Sequence, residues 1–142
     1  MNTRSVVKAF ILIAIVGILG NWSQLAAKPE EDAQKAAEQW LSLVDSGSYA
    51  DSWKAAAPYF QGAVTQEKWE QSLTAVRKPL GDLISRKLKS AKYTKTLPGA
   101  PDGEYVVLQF ETSFSNKKSA VETVTPMLDK DGQWKVSGYF IK

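Results

Sequence analysis

The spacing of apolar positions changes character twice along the chain. Residues Ala9 to Gly20 are apolar without a break. From Ala33 onward apolar residues recur at Ala36/Ala37, Trp40/Leu41 and Val44, with Gln and Glu between them. That is a 3.6-residue period, and it predicts a helix from about Asp32 to Asp45, ended by Gly47. Tyr49, Trp53 and Ala56/Ala57 predict a shorter second helix stopped by Pro58, with Phe60 folding back onto the same cluster. Thr65 is a candidate N-cap for a third helix carrying Trp69, Leu73 and Val76, and Pro79-Leu80-Gly81 closes it. Beyond Gly81 the period becomes two. Val106, Leu108, Phe110 and Phe114 share one face, while Tyr105, Val107, Gln109, Glu111 and Ser113 take the other. Strands are predicted over 84–97, 104–114, 119–128 and 133–141, joined by turn-rich segments. Helices first and a meander second make an α+β domain, three N-terminal helices packed on a four-stranded antiparallel sheet.

The early apolar run follows Arg4 and Lys8 and precedes the small residues Ala26 and Ala27. Twelve helical residues rise only about 18 Å, short of the roughly 30 Å of a bilayer core. Residues 1–27 therefore read as an export signal, with an uncleaved membrane anchor as the alternative, and 28–142 as a single domain. The expected location is periplasmic or secreted, with membrane contact only through that segment if it stays attached. Setting Arg4 and Lys8 aside leaves sixteen bases and fifteen acids, so the whole-chain charge of +3 gives no case for nucleic-acid binding. Cysteine is absent, so the core alone holds the fold. Histidine is absent too, which removes the usual nucleophilic dyads and the commonest metal ligand. No cofactor or metal is expected, and any catalysis would run on Asp, Glu, Lys or Tyr.

Strand register singles out one acid. Asp129-Lys130-Asp131-Gly132 reads as a tight hairpin loop, which sets Leu128 opposite Trp134, Pro126 opposite Val136, Val124 opposite Gly138 and Glu122 opposite Phe140. These pairs share the apolar face, so Glu122 points at the helices, where a carboxylate needs partners or water. It is a candidate ligand contact or general base; the plainer reading is a hydrogen-bonded or hydrated structural acid. Trp53, Trp40, Phe110 and Phe140 are the candidate apolar walls beside it, and at this spacing aromatics also simply fill cores. Arg86, Lys87, Lys89, Lys92 and Lys95 crowd one strand, either as a patch for lipid headgroups or polysaccharide or as the protection of an edge strand. Asp45 and Asp51 read as helix-end solvation and capping.

The segments Gly47-Ser48-Tyr49-Ala50-Asp51-Ser52-Trp53, Ala55-Ala56-Ala57-Pro58-Tyr59-Phe60, Val76-Arg77-Lys78-Pro79-Leu80-Gly81, Leu97-Pro98-Gly99-Ala100-Pro101-Asp102-Gly103-Glu104-Tyr105 and Trp134-Lys135-Val136-Ser137-Gly138-Tyr139 resemble a bacterial exported family, domain of unknown function 4019. At longer range the helix, Gly-x-Tyr and Trp order is similar to the nuclear-transport-factor-2-like superfamily. That resemblance implies a curved sheet wrapped on helices with a cavity between them, used by some members for catalysis and by others for binding. The leading expectation is thus non-catalytic binding of a small apolar or amphipathic molecule, or a peptide, in that cavity. An enzyme with Glu122 as base, and a domain that homodimerises through Tyr105, Val107 and Tyr139 on the outer sheet face, are the alternatives.

Overall fold

The computed structural model describes residues 28–142. Residues 1–27, expected to be an export signal or an anchor, lie outside the described residues. Helix α1 runs Pro29–Asp45, three residues longer than expected, because Pro29 occupies a first-turn position that needs no N–H. Glu30, Glu31 and Asp32 follow in the same turn, where the helix dipole favours negative charge. Its buried stripe is Ala33, Ala37, Trp40, Leu41 and Val44.

The second expected helix divides into α2 (Tyr49–Ala55) and α3 (Pro58–Ala63). Pro58 does stop α2, yet its fixed φ also starts α3, so Phe60 sits inside a helix and meets Trp69 edge-to-face at 4.8 Å. Helix α4 spans Gln66–Val76, with the Thr65 hydroxyl accepting from the Lys68 N–H at 3.3 Å. A short 3₁₀ turn, Lys78–Leu80, leads into the sheet. Among the described residues no helix is long and apolar enough to cross a membrane.

The strands are β1 (Leu83–Thr94), β2 (Tyr105–Phe114), β3 (Lys117–Leu128) and β4 (Trp134–Ile141), paired antiparallel in that order. Irregularities interrupt each pairing: in β1 before Ser85 and before Ser90, in β3 between Lys117 and Ala120 opposite Thr112 and Phe114, and in β4 between Val136 and Gly138. Such extra residues bend and coil a sheet, and here they curve it around the helices. Val106, Leu108, Phe110, Val124 and Val136 face Trp40, Leu41, Val44, Phe60, Trp69 and Leu73 in one core. That core fills the space between helices and sheet.

Candidate functional site

The hairpin β3–β4 begins in the expected register. Asp129 pairs with Gln133 across the loop, Gly132 takes a φ of 81°, and Leu128–Trp134 and Pro126–Val136 are partners. Then Ser137 enters as an extra residue, its hydroxyl donating to the Thr125 carbonyl at 2.7 Å. Beyond it Gly138 pairs with Thr125, Tyr139 with Val124, Phe140 with Thr123 and Glu122 with Ile141. The one-residue shift exchanges faces. Tyr139 turns inward in place of Phe140, which is 58% exposed and lines a small apolar groove with Trp69, Leu73 and Val76. Phe140 is therefore not a neighbour across the strand from Glu122, and the homodimer surface drawn through Tyr139 loses that residue. It loses Tyr105 as well, which is fully buried under the β1–β2 loop, its hydroxyl donating to the Pro101 carbonyl at 2.6 Å.

Glu122 points at the helices and has no exposed surface. Its Oε1 accepts from Arg86 Nε at 2.7 Å and from the Thr112 hydroxyl at 2.6 Å. Its Oε2 accepts from Arg86 Nη2 at 3.2 Å and from the Tyr139 hydroxyl. Four donors meet the four acceptor positions a carboxylate offers. Arg86 then reaches past Glu122 to Asp45, with Nη1 to Oδ2 at 2.7 Å and Nη2 to Oδ1 at 2.9 Å. Asp45 also accepts from Arg77 Nη2 at 3.2 Å, while Arg77 Nη1 donates to the Gly81 carbonyl at 2.7 Å. The Arg77 guanidinium lies 4.4 Å from the centre of the Phe114 ring. Two arginines and two acids thus form one neutral chain ending on a phenol.

Burial works against the Arg86 charge, but its bonds to Asp45 and Glu122 outweigh that and hold its pKa above the ordinary guanidinium value. Burial, then the Glu122 charge and the hydrogen bond to it, push the Tyr139 phenol well above its usual range, so it remains a donor at any neutral pH. Glu122 has no acceptor position free for a ligand in this arrangement.

Sequence patterning led to Glu122 but not to Arg86, Asp45, Thr112, Tyr139 or Arg77. Arg86 is not an outward member of the basic strand; it stands opposite Thr112 on the inner face. Asp45 is not helix-end solvation, since it is ion-paired to Arg86 and Arg77. A signal existed: an acid in the last turn of a helix opposes the dipole there and calls for a cation. Among the described residues, no group of three or more Asp or Glu side chains gathers where it could hold a metal ion.

The other proposed wall residues divide. Phe110 and Trp40 are buried in the core. Trp53 is partly buried, its indole N–H donating to the Val64 carbonyl at 2.8 Å. Ser52 holds two more indoles: Trp40 donates to its carbonyl at 2.8 Å and Trp69 to its hydroxyl at 2.9 Å. With Tyr139 packed on Trp40 at 5.3 Å, the space expected for a ligand holds side chains instead. One open space lies at the rim. There a groove of about 490 Å³ separates α1 and the α2–α3 connection from the start of β4. Trp40, Ala56, Pro58, Trp134 and Val136 give it apolar walls; Gln39, Lys54 and Gln61 add polar groups.

Residues 36–139 match the family described as a protein of unknown function, DUF4019. The chain belongs to this family. The fold is α+β, of the nuclear-transport-factor-2-like and ketosteroid-isomerase-like kind, as two solved structures show. A candidate ketosteroid isomerase from Shewanella frigidimarina is 17% identical, with a TM-score of 0.50, over 78% of this chain and 94% of its own. A protein from Catenulispora acidiphila is 12% identical, with a TM-score of 0.54, over 85% of this chain and 94% of its own. At these identities the likeness speaks for the fold alone. No curated protein matches the sequence.

Proposed function

We propose that this chain is an exported, non-catalytic binding module whose ligand is a small amphipathic molecule or peptide held in the rim groove. The observation that carries this reading is the contrast between two places. At the interior acid every acceptor position is taken and no surface is exposed. At the rim, by contrast, Trp40 and Trp134 border an open volume large enough for a small ligand, with amides and two lysines, Lys54 and Lys135, along its wall. Export rests on the basic, then apolar, then small-residue order of the first 27 residues.

One preparation tests both parts. Protein recovered from the extracytoplasmic fraction of its own cell is expected to begin near Lys28 and to carry a bound small molecule in native mass spectrometry. Ala36 lines the groove, so Ala36→Phe should fill it and abolish the adduct while leaving the melting temperature within a few degrees. An adduct that survives Ala36→Phe, or none in either protein, overturns the groove; recovery only from the cytoplasm overturns export.

A further inference from the structure

Acids and bases are segregated between the two layers. From Pro29 to Val76 eight acids stand against three lysines, whereas from Arg77 to Lys142 twelve bases stand against seven acids. Arg77, Arg86 and Lys135 are committed to ion pairs. Lys87, Lys89, Lys92, Lys95, Lys117 and Lys118 are exposed, and among the described residues none forms an ion pair. Residues 1–27 contain no Asp or Glu that could pair with them.

Lys87, Lys89, Lys92 and Lys118 border recesses. A trough of about 600 Å³ is lined by Ser85, Lys87, Lys89, Ser113, Lys118 and Ser119, with Glu111 as its one acid. A second, of about 460 Å³, is lined by Ser90, Lys92, Thr94, Thr96, Val107 and Gln109. Both run beside β1, so together they follow that strand's length along the outer face of β1 and β2. Edge protection accounts for lysine on β1, which is an edge strand. It does not account for Lys118 and Ser119, which approach the trough from β3 on the far side of β2.

We infer that this outer face binds a linear anionic polysaccharide laid along β1. Lys87 and Lys92 are five residues apart, about 16 Å on a strand, so they meet charges spaced along a chain rather than one compact anion. The intervening Ser, Thr and Gln side chains offer both donors and acceptors, which suits sugar hydroxyls. No aromatic side chain lines either trough, and single-stranded nucleic acid would want one for its bases.

Titration calorimetry of the purified protein with polygalacturonate oligomers tests this. Binding is expected at low ionic strength and should weaken as salt is added. The triple variant Lys87→Gln/Lys89→Gln/Lys118→Gln should bind about tenfold more weakly or worse, with an unchanged circular dichroism spectrum because all three side chains are exposed. Lys35→Gln/Lys68→Gln on the helical layer should bind as the parent does. Ala36→Phe should also leave this affinity intact, which separates it from the rim groove. Three results overturn the proposal: no binding of polygalacturonate at low salt, equal weakening in both lysine variants, or binding to phosphatidylglycerol vesicles without binding to polygalacturonate.

Discussion

Glu122 shows how a buried carboxylate is accommodated away from water. Removing an ion from solvent costs several kcal/mol, and attraction to one cation rarely restores all of it unless the remaining acceptor positions are also met. Here Thr112 and Tyr139 meet them, and Asp45 balances the second side of Arg86. Arg86→Met should therefore destabilise the fold by about 3–5 kcal/mol, and Glu122→Leu by a similar amount. The double variant should cost clearly less than the two together, because the second change removes a charge that the first left stranded. Urea unfolding of the four proteins measures this, and strict additivity would show that the pair is not coupled. The inward direction of Glu122 was readable because a tight loop fixes where β3 and β4 begin to pair. Its partners were not, because Arg86 lies on a strand whose faces are offset by irregularities, and Asp45 is remote in sequence.

Among the elements, helices and strands were legible where period and punctuation agree, as in α1, α4 and β2. Departures arose where a single residue does two things. Pro58 both ends α2 and begins α3. Ser137 lengthens β4 by one residue, so that Val136 and Tyr139 both face the core, and no alternation rule foresees which strand will carry the extra residue. Gly81 is the joint between the helical half and the sheet. Its φ of 78° and ψ of −154° lie in a region that essentially only glycine occupies. A Cβ there would come within 2.0 Å of the Ser115 hydroxyl oxygen, which accepts from the Asp82 N–H at 2.9 Å. Gly81→Ala is expected to lose about 1–3 kcal/mol from backbone strain alone. Gly62→Ala, inside α3 with open space around it, should be neutral or stabilising by up to about 1 kcal/mol. Thermal melts of the two variants, side by side, decide the point; similar shifts would contradict this view of Gly81.

Taken whole, the domain is closed by contacts between residues distant in sequence. The charged chain joins α1 through Asp45, the segment after α4 through Arg77, β1 through Arg86 and the hairpin through Glu122 and Tyr139. Helices and sheet should consequently unfold together. Indole fluorescence, reporting mainly Trp40, Trp53 and Trp69 among the helices, should give the same denaturant midpoint as far-ultraviolet circular dichroism. Separate midpoints would mean that the helical layer loosens first. At this scale the α+β class and the two-layer arrangement were visible in the sequence, since a switch from helical to alternating period survives local irregularity. The packed interior was not, because whether side chains or a ligand fill a helix–sheet gap depends on where each aromatic ring ends up. Mutual dependence among Asp45, Arg77, Arg86 and Glu122 also restricts how such a chain can drift over generations. A lineage that replaces Arg86 with an uncharged residue leaves one or both acids stranded, so lasting changes at these positions should arrive in matched sets rather than singly.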